Sequence, residues 1–236
     1  MSAPARASQH EAHTFSELLA RGRALATGGR RRILGIAGAP GSGKSTLATR
    51  LAQELGQDVV VVPMDGFHLT NHELVRLGLR ERKGAPDTFD IAGYLSLLRR
   101  LHEDSSHTVY APEFDRGAEM SVAGAIAVPP HVPLVVTEGN YLLLQSTGWS
   151  DVRPLLDEAW FLLPDEETRV DRLIQRHIDH GKSPQEAREW FQRSDRHNGD
   201  LVAETRHQAN VLVSGWLGLS VPAPLTDPVL TPRKSP

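Results

Sequence analysis

Hydrophobic positions along this chain follow two patterns that take turns. Short apolar runs occupy residues 33–37, 59–62, 134–136, 159–163 and 211–213, without the polar alternation of a strand exposed on one face. Such runs predict strands buried on both faces, as a parallel sheet requires. Between them, apolar residues recur every three to four positions: Leu47, Ala48, Leu51, Ala52 and Leu55 first, then IAGYLSLLRRLH (91–102) and EETRVDRLIQRHIDHG (166–181). Strand and helix patterns that alternate predict an α/β fold with a doubly wound, mostly parallel sheet and helices on both faces. TVYAP (108–112) and AIAVPP (125–130) read as a small antiparallel excursion. Toward the start, TFSE (14–17) has the form of a capping box, Thr14 with Glu17, opening a helix whose apolar side holds Phe15, Leu18, Leu19 and Leu25.

The flanks read differently. Residues 1–13 are polar and predict a flexible tail, in which His10 and His13 are solvated rather than metal ligands. Arg30 to Arg32 read as a solvated edge before the first core strand. Residues 221–236, VPAPLTDPVLTPRKSP, are too rich in proline to continue a sheet and predict a loose tail. This leaves residues 14–220 as a single domain, and a chain of 236 residues is long enough to give it a sizeable core.

Composition narrows the function classes. A net charge of −3 gives no global basic field for nucleic acid, although a phosphate site can be locally positive. The chain contains no cysteine, which removes disulfides, thiol catalysis and Cys-ligated zinc. No apolar run approaches a membrane span and the first residues lack a signal-peptide core, so the expectation is a cytoplasmic protein with no membrane partner.

The densest chemistry lies in RRILGIAGAPGSGKSTLATRLAQEL (31–55). Gly38, Ala39, Pro40, Gly41, Ser42, Gly43, Lys44 and Ser45 match the phosphate-binding loop G-x-x-x-x-G-K-[ST], placed between a strand pattern and a helix pattern as that motif requires. Glycines let successive N–H groups converge on a phosphate, and the helix that follows presents its positive dipole end. Lys44 adds a charge for the β/γ oxygens, the Ser45 hydroxyl can join a Mg²⁺ shell, and Thr46 completes the nucleotide-binding stretch.

In open α/β sheets ligands lie beyond the carboxyl ends of the strands. Two acids stand there: Asp65 after the second core strand and Glu138 at the end of the third. Asp65 is the candidate base or orienting acceptor for an attacking hydroxyl, and Glu138 the candidate Mg²⁺ ligand; capping a helix or ending a strand is the plainer role for either. Arg169, Arg172 and Arg176 recur at i, i+3 and i+7 and so share a helix face. They could supply cations over a transferring phosphoryl group, with Arg169 on the nucleotide, or pair with Asp165, Glu166 and Asp171 on a solvated face.

These residues resemble the P-loop kinases that include uridine kinase, phosphoribulokinase and bacterial type I pantothenate kinase. The likeness runs from about Ile33 to Val213 and includes MDGFH (64–68), RKGAPDTFD (82–90), VYAPEFDR (109–116) and TEGNYLLL (137–144). As a set they are similar in particular to bacterial proteins called nucleoside/nucleotide kinase family, some labelled fructose-transport kinases. The resemblance implies a P-loop NTPase fold with a small helical lid over about residues 165–200, ATP and Mg²⁺ as cofactors, and phosphorylation of a hydroxyl on a small molecule with Asp65 as base. It places His68, Lys83, Asp90, Tyr110 and Arg116 at the acceptor. The residues themselves leave plainer roles open: Tyr110 and Phe114 as core aromatics, Asp90 as an N-cap. DGFHLTN and APEFDR depart from pantothenate kinase wording, and the chain is short for that enzyme, so pantothenate ranks behind an unassigned acceptor.

The partner expected is therefore a small-molecule substrate, with a homodimer left open. A GTP-dependent switch is the rival from another class, but it needs an N-K-x-D element, and no asparagine here is followed by lysine. A D-x-x-G match at DIAG (90–93) follows a polar loop and not an apolar strand. An ATPase with water as acceptor is the second rival.

Overall fold

The computed structural model describes residues 9–103, 106–146 and 148–215. Its strands are β1 (His10–Ala12), β2 (Arg32–Ala37), β3 (Val59–Val61), β4 (Val109–Asp115), β5 (Met120–Val128), β6 (Leu134–Gly139), β7 (Glu158–Leu163) and β8 (Val211–Ser214). Six of them form a sheet in the order β1-β8-β7-β2-β6-β3 with every pairing parallel, and β4 and β5 form a separate antiparallel pair. The helices are α1 (Phe15–Ala26), α2 (Lys44–Leu55), α3 (Asn71–Arg76), α4 (Ile91–Glu103), α5 (Glu166–Asp179), α6 (Pro184–Trp190) and α7 (Arg196–Ala203).

Two-residue alternation on β2 sorts the core into two layers. Leu34 and Ile36 pack with Leu47 and Leu51 of α2, Phe15 and Leu18 of α1, and Trp160. Ile33 and Ala37 join Val135, Trp149 and the α4 residues Leu97, Leu98 and Leu101 on the opposite face. Each aliphatic side chain buried in this way contributes about 1.5–3 kcal/mol of transfer free energy. β2 is flanked by β6 and β7, so residues that follow β2 and residues that end β6 emerge side by side: Ile36 lies opposite Glu138 and Ala37 opposite Gly139. No helix among the described residues is long and apolar enough to cross a membrane.

Three expectations need correction. His10 to Ala12, expected in a tail, pair with Val211 to Val213, and Ala12 is fully buried. Residues 1–8 and the proline-rich 221–236 lie outside the described residues. The Thr14 hydroxyl does accept from the Glu17 N–H at 3.3 Å, but the Glu17 carboxylate takes the N–H of His13 at 3.0 Å, one residue before the cap. Of the arginines at 30–32, expected as a solvated edge, Arg30 is exposed and Arg32 half-buried, both reaching Asp157 at 2.7 and 3.0 Å, but Arg31 is buried and donates to the carbonyls of Leu101, Pro129 and Val132.

Candidate active site

The chain leaves β2 at Ala37, crosses residues 38–43 and enters α2 at Lys44. Gly41 has φ +80, and a Cβ there would stand 2.7 Å from Leu173 Cγ and 3.0 Å from the Arg169 carbonyl, so α5 presses against the loop where only glycine fits. The Lys44 ammonium is buried and donates to the carbonyls of Gly38 (2.9 Å) and Ala39 (3.1 Å) and to Asn140 Oδ1 (2.8 Å), which uses all three of its protons. Burial pushes the Lys44 pKa down to about 8, against the pull of Glu138 and Asp65. Ser45 Oγ donates to Glu138 Oε1 at 2.8 Å. Burial, followed by the charge of Asp65, raises the Glu138 pKa, while Lys44 and Ser45 act the other way.

Across the cleft, Asp65 sits in the turn Met64–Phe67 that follows β3. The next residue, Gly66, meets β4 so closely that a Cβ would collide with the Pro112 carbonyl oxygen. That contact seats the β4–β5 hairpin against the Asp65 turn. The Asp65 carbonyl accepts from His68 N at 3.1 Å and lies 2.9 Å from His68 Nδ1; a carbonyl can only accept, so Nδ1 carries the proton. The His68 ring packs on Phe89 (centroids 4.0 Å apart) and Phe114 (4.9 Å), and burial lowers its pKa. Lys83 is held by Asn71 Oδ1 at 2.8 Å and by the Glu119 carbonyl and carboxylate at 3.2 and 3.3 Å, with its Nζ 5.3 Å from the Phe114 centroid. Arg116 projects from the hairpin turn, which the Asp115 carboxylate fixes by accepting from Gly117 N and Ala118 N at 2.7 and 2.9 Å.

One cleft of about 530 Å³ brings together Pro40, Gly41, Gly43, Lys44, Ser45 and Thr46 with Asp65, Glu138, His68, Lys83, Arg116, Arg172 and Arg176. Other expected site residues are elsewhere. Gly38 and Ala39 turn their carbonyls to Lys44, and Ser42 is fully buried with its hydroxyl unpartnered among the described residues. Arg169 is buried behind the loop, donating to the Pro40 carbonyl at 2.8 Å and to Glu166 at 2.6 and 2.8 Å; it braces the loop and does not line the cleft. Asp90 caps α4, its carboxylate accepting from Gly93 N at 2.9 Å, and Tyr110 is 57% exposed; neither lines the cleft.

Sequence reasoning missed Asn140, His177, Trp190, Asp195 and Asn198, all on the cleft wall. Asn140 had a signal, because it stands two residues beyond Glu138 and period-two geometry sends both side chains the same way. The others come from α5 (His177), the end of α6 (Trp190), α7 (Asn198) and the π-helical turn Phe191–Asp195 between α6 and α7, whose Asp195 Oδ2 lies 2.6 Å from His177 Nε2. A π turn leaves no pattern in the sequence.

Comparison with known proteins agrees with this geometry. A family model described as methylmalonyl Co-A mutase-associated GTPase MeaB matches residues 3–67, a stretch that holds the phosphate loop and stops before Glu138. The "Putative uridine kinase C227.14" of Schizosaccharomyces pombe is 35% identical over 84% of this chain and 87% of its own. The "Uncharacterized protein YggC" of Escherichia coli is 35% identical over 78% of each. The crystal structure of a "putative fructose transport system kinase" from Silicibacter sp. TM1040 superposes with a TM-score of 0.77 at 36% identity, covering 85% of this chain and 99% of that one. With the phosphate loop, the strand-end acids and these relatives in agreement, the chain belongs to the P-loop kinase family of the uridine kinase type.

Proposed function

We propose that the protein transfers the γ-phosphoryl group of ATP to a hydroxyl of a small metabolite. The observation that carries this reading is the meeting of Lys44, the Ser45–Glu138 pair and the Asp65 carboxylate in one cleft. Asp65 is half-buried and its carboxylate makes no hydrogen bond to described residues, so it is free to accept the proton of an approaching O–H. Lys44, on the cleft wall, offers its charge to the β/γ oxygens, and Arg172 and Arg176 add cations from α5 as negative charge shifts to the leaving group. The helices from α5 to α7 act as the lid, joined to the loop through Leu173 and Arg169.

The donor set also fits Mg²⁺. Ser45 Oγ and Glu138 are hard oxygen ligands, and no cluster of three His, Cys, Asp or Glu among the described residues could hold a metal unaided. An ion held by one or two side chains together with phosphate oxygens is the usual Mg²⁺ arrangement, and when bound it neutralises charge between the β- and γ-phosphates.

The test is ADP release from Mg·ATP in the presence of a panel of hydroxylated metabolites, with the product confirmed by mass. One compound should raise ADP release and gain a phosphoryl group. Hydrolysis that no compound accelerates would point to an ATPase instead.

A further inference from the structure

The acceptor half of the cleft has a chemical bias of its own. The polar side chains that residues 65–116 bring to it are Asp65, His68, Lys83 and Arg116. Asp65 is the proposed base. Burial lowers the His68 pKa, and its Nδ1 proton is committed to the Asp65 carbonyl. Lys83 is pinned, and its charge is offset by Glu119 on the rim at 3.3 Å. Arg116 is the surplus: it meets no carboxylate within 4 Å among the described residues, on a turn that Asp115 holds in shape.

The ring surfaces of Phe89 and Phe114 are already occupied. Phe89 offers one face to His68 and packs edge-on against Tyr141 and Trp149 at 5.7 and 5.8 Å. Phe114 carries His68 at 4.9 Å and Lys83 at 5.3 Å. Little face is left on these two rings for a base to stack on, and Trp190, on the wall of the same cleft, carries Lys182 and Arg193 at 4.7 and 5.1 Å. Of the nearby amides, Asn71 Oδ1 is committed to Lys83 and Asn140 Oδ1 to Lys44, while Asn198 stands on the α7 wall of the same cleft. What this half of the cleft offers a ligand is a guanidinium, which matches carboxylate and phosphate in bidentate geometry.

We infer that the acceptor is an anionic hydroxy compound, with a carboxylate or phosphate group bound by Arg116, while its hydroxyl faces Asp65. The inference rests on the kinase reading above. In the transfer, the acceptor oxygen forms the new bond to the γ-phosphorus, the β–γ bridging oxygen leaves with ADP, and the hydroxyl proton passes to Asp65.

Matched pairs test it: hydroxy acids against their amides, sugar phosphates against the free sugars, and nucleosides as a third arm, each with Mg·ATP. The anionic member of a pair should be phosphorylated with kcat/KM at least about 10²-fold above its neutral partner, since a site built for a polar group strongly rejects an analogue without it. The acid and phosphate arms identify which anion is meant. Arg116→Gln should raise the KM for that acceptor at least about 10-fold, leave the KM for ATP unchanged, and weaken equilibrium binding of the acceptor measured without ATP. A nucleoside or neutral polyol used as well as any acid would overturn the inference while leaving the kinase reading intact. So would an Arg116→Gln variant whose defect lies in the KM for ATP. ATP hydrolysis that no arm accelerates would overturn the kinase reading itself, and the inference with it.

Discussion

The two halves of the cleft are built by different means. On the nucleotide side the polypeptide backbone does most of the work: carbonyls of Gly38 and Ala39 hold Lys44, α5 abuts Gly41, and the end of β6 fixes Ser45 and Lys44 through Glu138 and Asn140. On the acceptor side, long side chains from separate segments do it: Lys83 from one loop, Arg116 from a hairpin turn, His68 from the Asp65 turn. A backbone cradle suits a ligand whose phosphates never change. A wall of side chains can be re-specified by single substitutions without disturbing the sheet.

That contrast can be broken by experiment, and the sharpest cut is at Asp65. Asp65→Asn should lower turnover by about 10²- to 10⁴-fold, the range for loss of a general base, while the KM for ATP stays as it was. Loss of ATP affinity in this variant would mean that the two halves are not separable. Lys44→Ala should slow transfer by roughly 10²- to 10³-fold and weaken ATP binding as well, because its charge serves only the nucleotide side; an unchanged rate would remove the phosphate-loop assignment.

A smaller effect is expected at Glu138. Glu138→Gln should raise the Mg²⁺ concentration for half-maximal rate by on the order of 10-fold, an amide being a poorer ligand for a hard cation. Excess Mg²⁺ should then recover part of the rate, whereas the Asp65 variant should gain nothing from it. Turnover measured against Mg²⁺ for both variants decides whether base and metal ligand have been assigned the right way round. The smallest effect belongs to Asp90. With its carboxylate spent on the α4 cap, Asp90→Ala should cost about 1 kcal/mol of stability in a denaturant titration and leave kcat and both KM values unchanged. A shift in the acceptor KM would bring Asp90 back to the pocket.

The same contrast explains what could be read in advance. The phosphate loop is local: its spacing, its preceding strand and its following helix lie within 25 consecutive residues, 31–55, and close approach forces the glycines. The buried parallel strands were legible for a similar reason, since burial on both faces leaves continuous apolar runs. Arg169 shows where this kind of reading stops. Helical spacing put it on a face with Arg172 and Arg176, but it turns back to the Pro40 carbonyl and Glu166 while the other two reach the cleft. Spacing fixes the face of a helix and not the rotamer of a long side chain. The edge strand at residues 10–12 escaped notice because three residues make no period, and its partner lies about 200 positions away.

That distance matters during synthesis. β1 pairs only with β8 among the described residues, so the first piece of the sheet to be made has no neighbour until residues 211–213 have been added. At about 5–20 residues per second, the wait is on the order of 10–40 s. The sheet therefore grows outward from β2, β6 and β3, and β1 joins it last although the ribosome makes it first. Helix α1 follows β1 directly, and its buried residues Phe15 and Leu18 rest on α2 and β2, both completed early. The interval is thus spent with the helix able to dock while the strand just before it stays unpaired, a vectorial delay written into the order of the strands.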